Sequence, residues 1–347
     1  MKKMIYVIVV GVFMGCLLYN SGYAQENQKL AQSGFQFLSV VSDARAAAMA
    51  EAMTSLQNGS SALFFNPAGM AEMANFIDVT ASINQWIADI KHQTFSIAVR
   101  PAKGQYGVLG FSIQYVDYGD FYGTRVNNSV PLGYDDLGIF KLNALALGVG
   151  YAKQLTDRFS VGGQVKWVRQ DLGQSTIAIN IRPDTTDPTG QRRIADTSLI
   201  SNKLTPLVFD FGTQFKTGIK SLVFGMSVRN FSKDMKYSTE GFQTPLVFTL
   251  GISMNVLDFF EELPLDQSLV VSVDASHYSD HPEQIKVGLE YRLMNILSLR
   301  GGYANDNGGN GMSLGIGVSQ FGFAFDYAYT PFGVFDKVQR VTARFSF

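Results

Sequence analysis

The 347-residue chain carries 28 basic and 29 acidic side chains, a net charge of −1, with 16% charged, 46% hydrophobic and 13% aromatic residues. A soluble domain has about 25% charged residues and a nucleic-acid binder a basic patch, so this balance points away from both. One cysteine excludes a disulfide framework, and after the first twenty residues there is no run of ~18 apolar residues, which excludes spanning helices and leaves strands as the means of crossing a membrane.

Lys2 and Lys3 precede the apolar run Met4 to Leu18, and Gly22-Tyr23-Ala24 puts small residues at the two positions that signal peptidase reads. This predicts a cleavable secretory signal peptide over residues 1–24. Cys16 follows Gly15 as in a lipoprotein signal, but Phe13, Met14 and the continuing Leu17 and Leu18 fit a lipobox poorly. Cleavage after Ala24 removes the single cysteine and leaves 26 basic against 29 acidic side chains.

Residues 25–76 do not alternate. Ser42-Asp43 can cap a helix running through Ala44, Ala46, Ala47, Met49, Ala52 and Met53. A shorter helix is expected through Ala62, Leu63 and Phe64, followed by Asn66-Pro67-Ala68-Gly69-Met70, where Asn66 caps and Pro67 takes the first helical position. So compact an apolar segment is too short to fold alone. We expect it inside a lumen as a hatch, spanning about residues 35–76.

From residue 77 the period is two. Segments of ~9 to 12 residues, long enough for a tilted strand to span a bilayer, fall at 77–87, 92–100, 106–116, 140–155, 159–171, 206–216, 221–231, 245–256, 268–277, 284–292, 296–303, 312–319, 321–330 and 337–347. Fourteen is even, as single-chain bacterial barrels require. The connections also sort by length: short ones at 101–105, 156–158, 217–220, 293–295 and around Gln320, with 257–267 longer, against polar loops at 117–139, 172–205, 232–244 and 304–311. The expected fold is an all-β membrane protein, a 14-stranded antiparallel transmembrane barrel over 77–347 with an N-terminal helical hatch at 25–76. The inward face of strand 140–155, Ala144, Ala146, Gly148, Gly150 and Ala152, leaves room for that hatch. Lys166, Asp210, Asp274, Lys286, Glu290, Arg292, Arg300, Asp326, Arg340 and Arg344 fall on inward faces, as in a wet or plugged lumen and unlike the core of a soluble sandwich. Trp86, Trp167, Tyr115, Tyr151 and Tyr303 suit interfacial girdles. The last strand alternates through Val341, Ala343, Phe345 and the terminal Phe347. Such an end would be an aggregating edge on a soluble sheet but suits a closing strand; Phe345 and Phe347 form the expected insertion signal for the barrel-assembly machinery.

The segments Phe35-Gln36-Phe37-Leu38, Asp43-Ala44-Arg45-Ala46-Ala47-Ala48-Met49 and Ser61-Ala62-Leu63-Phe64-Phe65-Asn66-Pro67-Ala68-Gly69-Met70 resemble the N-terminal signature of the PorV/PorQ family, within the FadL-like fourteen-stranded outer-membrane barrels. Asn66-Pro67-Ala68-Gly69 is shared with the wider group, whereas the stretch around Asp43 and Arg45 is the closer match to PorV/PorQ. Ala50-Glu51-Ala52 stands where that family has a glycine-rich stretch, and Phe65 where it often has Trp. The resemblance implies residence in the outer membrane among its lipids and a part in type IX secretion, binding the C-terminal domains of secreted cargo and meeting translocon or attachment proteins. Loops 117–139 and 172–205, with Tyr118, Phe121, Tyr122 and Tyr134 among charges, suit such contacts. The wider group implies the alternative, passage of long-chain fatty acids or other hydrophobic compounds. No cofactor, metal or nucleic acid is expected. Of the three histidines, His277 with Ser279 is the one outward pair that a lipase-like dyad would use, and His277, Asp280 and His281 read as a solvated strand end. Asn305 to Gly311 holds one carboxylate where a calcium loop needs several.

Overall fold

The computed structural model describes residues 33–127, 131–183, 193–237, 241–260, 265–305, 311–332 and 335–347. The expected signal peptide lies outside the described residues, as do residues 306–310 of the glycine-rich loop. Fourteen strands form the wall: β1 (Ile77–Gln85), β2 (Lys91–Val99), β3 (Val108–Val126), β4 (Tyr134–Thr156), β5 (Phe159–Pro183), β6 (Leu207–Lys216), β7 (Val223–Ser232), β8 (Val247–Asn255), β9 (Gln267–Tyr278), β10 (Gln284–Leu293), β11 (Leu297–Ala304), β12 (Met312–Gln320), β13 (Phe323–Phe332) and β14 (Phe335–Ser346). Each pairs antiparallel with its chain neighbours. β1 then pairs with β14 from Asp78↔Ser346 to Gln85↔Gln339, closing the cylinder. Ile77 and Phe347 exchange backbone hydrogen bonds of 2.8 and 2.9 Å at the seam, and Phe345 stacks on Phe323 at 4.7 Å.

Alternation places the two faces in different surroundings. On β1, Asp78, Thr80, Ser82 and Asn84 are buried inward, while Ile83 on the outer face is exposed; Val149, Phe211, Leu250, Leu314, Phe325 and Val341 are likewise exposed around the circumference. Such a continuous apolar belt is the surface that hydrocarbon solvates. Trp167, Tyr115, Tyr151 and Tyr303 face outward as girdle residues do. Trp86 does not. It follows the inward-facing even residues of β1 and lies 5.4 Å from the Arg340 guanidinium and 5.1 Å from the Phe332 ring, since the cation and the ring partner there outweigh the pull of the interface.

The long connections are more ordered than the sequence suggested. β3 and β4 run on beyond Asp117 as a ribbon, joined by Lys141–Asp120 and Arg125–Asp135 ion pairs of 3.2 and 3.0 Å. β5 continues past Asp171 and pairs with an extra strand, Arg193–Leu204. Residues 117–139 and 172–205 are thus largely strand, with residues 128–130 and 184–192 outside the described residues. Aspartates and glycines in one repeated arrangement bend these ribbons. Asp117, Asp136 and Asp171 accept from the N–H of Gly119, Gly138 and Gly173, at 3.0, 2.8 and 3.1 Å. The three glycines have φ of 82°, 82° and 73°, and the ladders slip at each place. This is bulge geometry that turns a strand out of the plane of its sheet. The two ribbons form a crown above the barrel.

Residues 33–76 fill the lumen and run its full height. Gly34 N–H donates to Gln243 O at 2.9 Å in the connection between β7 and β8, at the crown end, and residue 77 begins β1 at the short-turn end. Phe35, Phe37 and Leu38 pack on Val116, Ala144, Ala146, Val168 and Val208 near the crown. Lower down, Leu63, Met70, Ala71 and Met73 pack on Ala98, Val108 and Ala152. The one α-helix among the described residues, α1, covers only Ala44–Ala48, shorter than the run to Met53 that its alanines predict. The chain turns at Ala50 and Glu51, whose φ values are 49° and 67°. A Cβ on Gly288 would lie 2.7 Å from Met49 O, and one on Gly302 2.5 Å from Met49 C. The wall comes too close for a further helical turn, and tertiary contact overrides propensity. These are also the positions where the resemblance implies glycines, which adopt positive φ without a Cβ penalty.

Candidate functional site: the plug and the crown

Each predicted plug residue has a definite task. Asp43 caps α1, accepting from Ala46 N–H at 2.8 Å. Two residues on, Arg45 reaches the wall and meets Glu290 through two hydrogen bonds of 2.8 and 3.0 Å. Arg45 also donates to Asn58 Oδ1 at 2.8 Å. Glu290 is the hub. It is 1% exposed and also accepts from Arg300 at 2.6 Å and Arg292 at 2.9 Å, while Arg300 meets Asp326 at 2.6 Å. Three guanidiniums around one carboxylate, with Asp326 behind, give a buried network in which each charge has an opposite partner. Arg344 closes the circle from β14, donating to Asn58 and Ser61 at 3.0 Å each and lying 3.6 Å from Asp43.

The Asn-Pro-Ala-Gly element sits on the opposite wall. Asn66 accepts from Ala68 N–H at 3.1 Å, which caps the turn Pro67–Met70, and its amide donates to Thr54 O at 2.7 Å and Thr213 O at 3.0 Å. One side chain therefore ties the turn to the plug and to β6. The wall makes room with glycine: a Cβ on Gly212 would overlap Asn66 Oδ1, and one on Gly162 would stand 2.5 Å from Ala68 N. Gly69 lies against Leu56 O, which a Cβ would meet at 2.9 Å, and Phe65 is buried with α1.

The remaining inward charges are partnered too. Lys166 pairs with Asp210 at 2.8 Å and Asn230 at 2.7 Å; Asp274 accepts from Thr54 N–H at 3.0 Å. Lys286 pairs with Glu51 at 2.6 Å and Tyr278 at 2.8 Å. Burial pushes the Glu51 carboxyl up, but Lys286 beside it holds it below its ordinary value. Arg340 donates to Val41 O at 2.8 Å and Thr330 at 2.9 Å. At the crown end Asp280 accepts from Ser33 and, at 2.6 Å, from Gln36. This third latch escaped the sequence reading because its partners are 247 and 244 residues away. The lumen charges thus pin a plug rather than line an open channel. Above the plug remains a cavity of about 390 Å³, lined among others by Trp86, Tyr278, His281, Lys286, Phe332 and Arg340.

His277 contacts Glu283 at 3.2 Å, not Ser279. Among the described residues no group of three or more His, Cys, Asp or Glu is placed to hold a metal ion. The crown exposes large apolar side chains, Tyr122, Val126 and Leu132 on one ribbon and Ile181 and Leu199 on the other.

Three kinds of comparison bear on this arrangement. The family model for the type IX secretion system protein PorV matches residues 23–189, which take in the whole plug and β1 to β5. Among solved structures, the chain resembles the Pseudomonas putida toluene transporter TodX (13% identity over 92% of this chain and 98% of that one, TM-score 0.55). It also resembles a Pseudomonas aeruginosa FadL homologue (13% identity, 88% and 98%, TM-score 0.56) and the CymD monoaromatic hydrocarbon channel (11%, 88% and 97%, TM-score 0.54). At these identities the likeness is one of fold. No curated protein matches the sequence. The chain is therefore a fourteen-stranded β-barrel of FadL-like fold whose plug and first five strands match the family model for the type IX secretion system protein PorV.

Proposed function

We propose that this barrel is an accessory component of type IX secretion that binds secreted polypeptides at the cell surface through its crown. The observation that carries the reading is the crown itself, two long ribbons with exposed Tyr122, Leu132, Ile181 and Leu199, the first of which lies wholly within the stretch matching the PorV family. The wall supports it. β2 and β3 pair without a slip from Lys91↔Asp117 to Val99↔Leu109, as do β1 and β2 from Ile77↔Val99 to Gln85↔Lys91. The slip between β6 and β7 at Phe209 and Phe211 is bridged by Asn230, whose N–H donates to Asp210 Oδ1 at 2.7 Å, whereas sideways exit of a hydrophobic compound needs an open break in a ladder. The partners are the C-terminal signal domains of cargo and the proteins of the translocon or attachment complex; the signal peptide over 1–24 delivers the chain to the periplasm, and the paired aromatics Phe345 and Phe347 serve its insertion.

The second reading, passage of long-chain fatty acids or other hydrophobic compounds, is favoured by the aromatic-lined cavity above the plug. Purification from outer membranes in mild detergent, followed by identification of what comes with the barrel, separates the two. A co-purifying polypeptide with a type IX C-terminal signal supports secretion; a bound apolar compound with no protein partner overturns it.

A further inference from the structure

β4 and β5 pair from Asn143↔Asp171 down to Thr156↔Phe159. Above that level they part. β4 keeps only β3 as a partner and β5 only the strand Arg193–Leu204. The parting is built into the chain: Asp171 holds Gly173 in its left-handed turn, and the ladder slips between Asp171 and Gln174. A Cβ on Gly173 would meet Leu142 at 3.8 Å, so the two strands still touch at the foot of the notch. Among the described residues no strand pairs with residues 134–142 of β4 or 172–183 of β5 on the sides that face the notch.

Two open ladder edges facing each other form an unusual surface, because natural sheets blunt such edges with charge, proline or cover. Here Asp135 and Asp136 stand at the tip of one edge with Lys141 at its foot, and Arg182-Pro183 at the tip of the other, while the edges also carry exposed Leu137, Ile139, Phe140, Leu172, Ile179 and Ile181. Between the bulges at Gly138, Gly173 and Asn180, the backbone N–H and C=O groups keep strand spacing and are matched in full only by another extended backbone; an apolar small molecule offers them nothing. We infer that this notch takes an extended strand of another polypeptide by edge addition to β4 and β5, with the apolar side chains selecting its alternate residues. The inference rests on the secretion reading and names how that partner is held.

The test uses the full chain in detergent and, as probe, the purified C-terminal signal domain of a type IX cargo from the same bacterium. Backbone amide exchange is followed with and without the probe. Edge addition predicts that amides in 134–142 and 172–183 slow about tenfold or more while those of β9 to β12 are unchanged. The variant with Ile139→Lys and Ile181→Lys puts charge on both edges at exposed positions away from the barrel wall, and should weaken binding about tenfold. Binding with no protection of these two segments overturns edge addition and leaves the secretion reading standing. Failure of the probe to bind overturns both. Protection already present in a dimer of the free protein assigns the notch to self-association and overturns the inference.

Discussion

Replacing Glu290 with alanine tests the pinning of the plug where it is most concentrated. In the wild type Glu290 meets Arg45, Arg292 and Arg300 at 2.8, 2.9 and 2.6 Å. Arg292 is 37% exposed in its side chain and screened by solvent, so its share is small, and Arg300 keeps Asp326 whether the plug is in or out. What differs between docked and undocked states is Arg45, left by Glu290→Ala as a buried cation beside Arg300 with only Asn58 and Gln57 to receive its hydrogen bonds. Removing one partner of a buried pair costs about 3–5 kcal/mol, and the bonds to Asn58 and Gln57 argue for the lower end. The plug should therefore open about 150-fold more often, at ~1.4 kcal/mol per tenfold. A thiol reporter reads this: Ser42→Cys, at a buried position whose hydroxyl has no hydrogen-bond partner, in a chain lacking Cys16. Its labelling rate follows the open population when reclosing is fast. Adding Arg45→Met removes the stranded cation and should restore much of the protection, as apolar replacement of a buried pair does. Labelling of Glu290→Ala at the wild-type rate, with the barrel intact by its heat-dependent mobility, would refute the reasoning.

The other expectations use the same readout. Gly212→Ala drives a methyl into Asn66 Oδ1 and Gly162→Ala one to 2.5 Å from Ala68 N, so each should loosen the plug by about 1–3 kcal/mol as overpacking does, seen as faster labelling. Asn66→Ala removes the donor to Thr213 O, leaves Thr54 O with Gln214 alone and removes a cap, at a cost of about 1–3 kcal/mol; Asn66→Asp should be worse, since it sets a carboxylate against two carbonyls. Ala50→Gly relieves a positive φ and should slow labelling by up to about tenfold, whereas Glu51→Gly, which also loses Lys286, should speed it. The Glu51 carboxyl lies below its ordinary value of 4.5 in the folded state. Its contribution is therefore fully present above pH 4.5 and is lost as pH falls further; acid should open the plug, and Glu51→Gln should remove that part of the pH dependence.

Strand positions were legible because successive wall residues face lipid and lumen in turn, which writes period two into the chain; observed and expected strand ends in the bilayer zone agree within about two residues. Charges such as Glu290 and Arg300 were legible as inward by parity, but not as anchors, because their partner Arg45 is 245 residues from Glu290. The helix was overextended since alanines signal helix regardless of Gly288 and Gly302 waiting across the lumen. The crown looked like loops because its polar, glycine-bearing stretches lack a buried face to impose alternation. Its signal was present all the same, in Asp117-Tyr118-Gly119, Asp136-Leu137-Gly138 and Asp171-Leu172-Gly173, three copies of one bulge. Trp86 misled because an aromatic at a strand end reads as girdle until Arg340 is known to lie beneath it.

The measurement closest to the centre of this account is labelling of intact cells with a membrane-impermeant thiol reagent. With Leu132→Cys on the crown and Met294→Cys in the short turn between β10 and β11, both exposed, the crown cysteine should react on whole cells and the turn cysteine only after the outer membrane is permeabilised. Reaction at Met294→Cys on intact cells, with Leu132→Cys silent, would place the crown in the periplasm and contradict a surface role.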